Sequence, residues 1–143
     1  MALIIPHATM QTIGNLARAK DAKKAVFQAV AGYLDEVQVM FNGVLIAVYI
    51  RPEKTSGGVL RPDENITEDI WQGKEGLVLK LGPDAFVDDP GAGRVFGEQR
   101  VDVGDWVAAR INDSWQLDLN HVPCRIVDDV NIRLRLAKPG MVF

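Results

Sequence analysis

The sequence predicts a mostly-β domain, a small antiparallel barrel or sandwich, with an amphipathic helical arm at its N-terminus. Three observations carry that expectation. Apolar residues recur at helical spacing before residue 36, and from Glu36 onward the period changes to two. Short apolar runs broken by turn residues then continue to residue 136. The chain has 143 residues, 48% of them hydrophobic, which is enough for one core and fits one domain.

The helix is expected from Asn15 to about Asp35. Leu16, Val26, Phe27, Val30, Tyr33 and Leu34 fall near one stripe, and Arg18, Lys20, Lys23 and Lys24 occupy other positions. Asn15 is the expected N-cap, since its side-chain oxygen can accept a first-turn amide. Such a stripe packs on its own domain or on a neighbouring subunit, and Val26, Phe27, Val30, Tyr33 and Leu34 are its contact residues. No second helix is expected after Asp35.

Val37, Val39 and Phe41 alternate with polar residues, Asn42-Gly43 follows, and residues 44 to 50 are almost wholly apolar. Asn-Gly between two apolar runs predicts a hairpin, because both residues tolerate positive φ. Further strands are expected at residues 77–81, around Val101, and at 106–111, 115–119, 122–127 and 130–136. In the last, Val130, Ile132, Leu134 and Leu136 would share one face and Asn131, Arg133 and Arg135 the other. Residues 51–75 read as one long polar loop, and residues 82–98, rich in glycine, proline and aspartate, as a second. Long loops in a compact domain tend to be functional or disordered.

The net charge is −3, with a local +2 in residues 1 to 35 and −5 in the remainder, which gives no reason to expect nucleic acid. No run reaches the roughly 18 apolar residues of a membrane span, and MALIIPHATM does not read as a secretory signal. The default location is cytoplasmic. Cys124 is the single cysteine, and His7 and His121 are the two histidines, so neither a disulfide nor an ordinary zinc site is expected. His121 and Cys124 stand three apart, on opposite faces if both lie in a strand. The pairs Asp88-Asp89 and Asp128-Asp129 read as solvated turns. Gly91-Ala92-Gly93-Arg94 lacks the flanking strand, helix and lysine of a phosphate loop. Trp71, Trp106 and Trp115, with no basic stripe among them, read as core and interface packing. The expectation is a non-enzymatic protein without metal or cofactor.

The segment Arg51-Pro52-Glu53-Lys54-Thr55-Ser56-Gly57-Gly58-Val59-Leu60-Arg61-Pro62-Asp63 follows an apolar strand. It precedes Gly76-Leu77-Val78-Leu79-Lys80-Leu81-Gly82-Pro83, and Val101-Asp102-Val103-Gly104-Asp105-Trp106-Val107 comes later. In this order the segments resemble the GroES family of co-chaperonins over residues 44–136. The resemblance implies a GroES-like β-barrel, preceded by an arm at 1–43 with the helix and an added hairpin strand. A tail at 137–143 would follow it. It also implies that residues 51–75 form a partner-binding loop. There Gly57-Gly58 supply freedom, Ser56, Val59 and Leu60 mark the anchor, and Ile70 and Trp71 add apolar surface.

GroES-like barrels with extra N-terminal arms also resemble small proteins encoded in bacteriophage morphogenesis regions. That implies a homo-oligomeric virion structural or decoration (cement) protein, located in the virion, with copies of itself and a phage capsid protein as partners. The alternative implied by the resemblance is a co-chaperonin that caps a chaperonin ring and assists protein folding. Neither reading involves nucleic acid or a membrane.

Overall fold

A computed structural model describes residues 7–52 and 63–143, the side chains of residues 63–67 excepted. Its body is one six-stranded antiparallel sheet of β1 (Gly43–Val48), β2 (Glu75–Leu81), β3 (Trp106–Ala109), β4 (Ser114–Leu119), β5 (Val122–Asp128) and β6 (Ile132–Leu136). The strand order is β4-β5-β1-β2-β3-β6. Among the described residues three α-helices accompany it: α1 (His7–Arg18), α2 (Ala22–Val30) and α3 (Asp63–Gln72).

All six residues of β1 are buried. It is the strand that reads as almost wholly apolar, and it is paired on both edges, by β2 and by β5. That pairing explains why the expected hairpin at Asn42-Gly43 does not form. A strand at 37–41 would need an edge of β1, and neither is free. Residues 37–40 run instead without regular structure, with Val39 in the core and Lys80 Nζ donating to the carbonyls of Leu34 and Val37. Among the described residues a tight hairpin forms elsewhere. Asn120 (φ 47°) and His121 (φ 65°) link β4 to β5, the positive-φ pair that a two-residue turn requires.

Both faces of the sheet are covered. On one face Leu45, Ala47, Leu77, Leu79, Trp106, Val122 and Cys124 pack against Val26 and Val30 of α2 and against Val39. On the other, Val44, Ile46, Val78, Val107 and Val127 lie under Phe86, Val101 and Phe96 of the 82–101 segment. A third cluster joins Ile13 and Ala17 of α1 and Ile70 of α3 to Val48 and Ile50.

The helical arm is two helices rather than one. The chain breaks at residues 19–21, where the Asp21 carboxylate accepts from the Lys24 amide and caps α2. Asn15 lies inside α1, where its oxygen accepts from Arg18 Nη2 at 3.0 Å. The helix α3 overturns the expectation of none after Asp35. Its sequence, Asp63-Glu64-Asn65-Ile66-Thr67-Glu68-Asp69-Ile70-Trp71-Gln72, offers only Ile66 and Ile70 at helical spacing. Acidic residues directly after Pro62 suit a helix start. No strand forms around Val101, which is held in the core by the loop it closes.

The sheet curls without closing into a barrel. Five Cα steps join Ala109 to Ser114, a reach of about 17 Å. In a flat sheet the two strands would lie about 19 Å apart sideways and a strand's length apart lengthwise. Rolling brings the start of β4 to the end of β3; there the hydrogen-bonded Arg110 guanidinium holds the Asp113 carboxyl below the usual carboxylate range, and the Arg133 charge on β6 adds a smaller pull. Yet β4 and β6 remain the two edges. The register explains a further difference. Ala108 pairs with Leu134 and Ala109 with Ile132, so Arg133 is an extra residue in β6. The bulge turns the strand over: Ile132 joins the cluster under Phe86, while Leu136 packs with Trp106 on the other face. The four apolar residues from Val130 to Leu136 therefore do not share a face.

Candidate interaction surface

Ser56, Gly57, Gly58, Val59 and Leu60 lie outside the described residues. Of the other two loop residues, Ile70 is buried in the cluster with Ile13, and Trp71 is half-buried against it. Both serve the chain's own core. In the arm, Val26 and Val30 are buried, Phe27 and Leu34 pack on the same cluster, and Tyr33 alone is exposed. The stripe is thus spent mainly on its own sheet.

Burial also sorts the three tryptophans. Trp106 is core, with Tyr49 edge-on at 5.4 Å between ring centroids. Trp71 of α3 lines a cavity together with Gln116, Leu117 and Asp118 of β4. Trp115 on β4 is 69% exposed, as open as Phe41, and Leu134 on β6 is 47% exposed. Trp115 and Leu134 stand on the two edge strands, and among the described residues each of these strands has one strand partner only. Strand edges with unpaired amides and carbonyls are templates for another chain. Alternation along β4 puts Trp115 with Leu117 and Leu119 on one side and Ser114, Gln116 and Asp118 on the other.

Beside that second side is a cavity of about 200 Å3, lined by Val48, Ile70, Trp71, Leu117, Pro123 and Cys124, with Gln116 and Asp118 completing its wall. The Gln116 amide donates to the Ile70 carbonyl at 3.1 Å. The Trp71 indole N–H is buried with no acceptor among the described residues. Burial, and to a lesser degree the Asp118 charge, pushes the Cys124 thiol up to about 12. At neutral pH it is a protonated apolar wall rather than a nucleophile. An open groove of about 560 Å3 lies where Lys20, Asp21 and Lys23 meet Tyr49, Trp106 and Pro139.

Two buried ionic groups fix the frame around this surface. Asp129, 1% exposed, accepts from the Phe86 amide at 2.9 Å, the Val130 amide at 2.7 Å and Asn42 Nδ2 at 3.1 Å, and it pairs with Arg94. It is not the solvated turn its neighbourhood suggested. Arg125, fully buried on β5, donates to the Ile70 carbonyl at 2.7 Å and to the Gly73 carbonyl, closing the C-terminal end of α3. Burial lowers its guanidinium to about 10.

The tail folds back on the molecule. The Gly140 and Met141 amides donate to the buried Glu75 carboxylate, and the Phe143 ring lies under the Arg51 guanidinium at 4.2 Å. Met141 nonetheless stays 55% exposed. Asp69, also buried, accepts from the Arg51 backbone amide at 2.9 Å and from its Nε at 2.6 Å.

His121 and Cys124 do not act together: Nδ1 of His121 sits 3.3 Å from Thr9 Oγ1, and Cys124 is in the core. Among the described residues no group of three metal-ligating side chains converges, and no helix is long and apolar enough to cross a membrane. No protein-family model matches the chain, and no curated protein matches it either.

The surface missed from sequence is the pair of edges. Its signal was present in Ser114-Trp115-Gln116-Leu117-Asp118-Leu119, a strictly alternating strand that carries a tryptophan. Strand order, which decides whether such a strand is central or at an edge, is not written in the alternation.

Proposed function

We propose that this chain is a non-catalytic, self-associating assembly protein that works by contact, a bacteriophage virion structural or decoration protein. The observation that supports this best is Trp115, 69% exposed on a sheet edge that has no second strand among the described residues. A large aromatic on an unpaired edge is a liability in an isolated monomer and an asset in an assembly. Burying such surface contributes roughly 25 cal/mol per Å2, and repetition around a symmetric lattice multiplies weak contacts.

The first test is solution mass. Light scattering on purified protein is expected to give a multiple of the 15.7 kDa chain at tens of micromolar, and a strict monomer would sink the self-association reading. The second is mass spectrometry of purified particles from the virus that encodes the chain. Stoichiometric amounts are expected there, and absence removes the virion assignment.

A further inference from the structure

We infer that the two open edges are complementary to each other, so that β4 of one copy receives β6 of a second copy in antiparallel pairing. The inference rests on the self-association reading above and names the surfaces that would carry it.

Side-chain order differs between the two edge strands. On β4, Trp115 and Leu117 point to one side and Gln116 and Asp118 to the other. On β6, Leu134 and Leu136 lie on the side that packs with Trp106, and Arg135 lies on the opposite side. Leu117 and Leu119 pack in that same Trp106 cluster. Laid edge to edge in antiparallel register with faces matched and Leu134 of the second copy opposite Leu117, its Arg135 falls opposite Gln116, so that on the diagonals Leu134 reaches Trp115 and Arg135 reaches Asp118. Charge and hydrophobicity are both complementary in one arrangement. The cavity beside Gln116 and Asp118 can take the aliphatic stem of the incoming arginine while its guanidinium reaches the carboxylate. A main-chain ladder with a side-chain pocket beside it is how strand addition combines affinity with specificity.

The competing pairings are poorer. Pairing β6 with itself about Leu134 sets Arg133 opposite Arg135 of the other copy, like charges face to face. Pairing β4 with itself brings no such clash, but it leaves the Leu134 edge of every copy unpaired. The β4-to-β6 contact uses both edges of every copy. It is head-to-tail, so it builds a ring or a filament.

Two variants, Trp115→Cys and Leu134→Cys, made separately with tags of different size and mixed, test the geometry with a short bismaleimide. Both sites are exposed, and Cys124 is buried and does not compete. The expected product is the mixed-size dimer. Same-size dimers of Trp115→Cys in its place overturn the inference in favour of β4 pairing with itself. In parallel, Asp118→Arg is expected to weaken association about tenfold or more, and adding Arg135→Asp to restore it. Unchanged assembly in Asp118→Arg together with no mixed dimer overturns the edge contact while leaving self-association standing. A wild-type monomer at every concentration removes both.

Discussion

Phe41 sits in the turn that leads into β1. It is 69% exposed with φ 53°, a conformation that costs a side-chain-bearing residue about 1–2 kcal/mol. Its carbonyl accepts from the Asp84 amide, so the turn matters although the phenyl ring buries little. Asparagine tolerates this region better. Phe41→Asn is therefore expected to raise stability by about 1 kcal/mol in urea titrations, and an unchanged or lower midpoint would show that the ring contributes to the fold. Cys124 makes a second prediction, through pH. Its thiol titrates near 12 in the folded protein and near the ordinary 9 when unfolded, so above pH 9 the unfolded chain sheds a proton that the folded one keeps. Its contribution is fully present below pH 9 and is lost at about 1.4 kcal/mol per pH unit as pH rises towards 12. Cys124→Val is expected to lack that slope; an identical alkaline decline in both proteins would refute the assignment.

At the scale of elements, α3 depends on a residue far away in sequence. Arg125 satisfies two carbonyls at its C-terminal end, and no carboxylate among the described residues pairs with it. Arg125→Met keeps the volume but leaves those carbonyls bare, at a cost of about 3 kcal/mol. Amide exchange in residues 63–72 is expected to accelerate more than exchange in β1 and β2. Uniform acceleration would mean that the side chain supports the whole core rather than the helix end. The same element shows where sequence was readable. All six strands fall on runs expected to be strands: β1, β2, β3 and β5 are buried on both faces and so read as nearly continuous apolar runs, while the edge strand β4 alternates. Helix α3 does not stand out, because ten residues with two spaced isoleucines are held by an arginine from another strand. The Asn42-Gly43 signal was genuine turn chemistry in a place where tertiary pairing had already filled both edges of the next strand. The reversal of β6 at Arg133 was invisible, since a bulge is a property of a pair of strands.

For the molecule as a whole, the resemblance that suggested a closed barrel met a sheet that curls and stops. Among the described residues the fold leaves two sheet edges with one strand partner each, as well as a groove of about 560 Å3 and a cavity of about 200 Å3. Of the residues expected to form the partner surface, Ile70, Val26 and Val30 proved to be core, and Trp115 and Leu134 were not among them. Amphipathic periodicity finds what is apolar but not which side is covered, and coverage is a property of the assembled chain.

The position of β1 has a consequence for synthesis. Its neighbour β2 begins at residue 75, but its other neighbour, β5, ends at residue 128. At about 5–20 residues per second, the ribosome makes the strand complete several seconds before that second edge can be covered. Until then the most apolar run in the chain is a half-dressed template, and slower elongation lengthens that exposure.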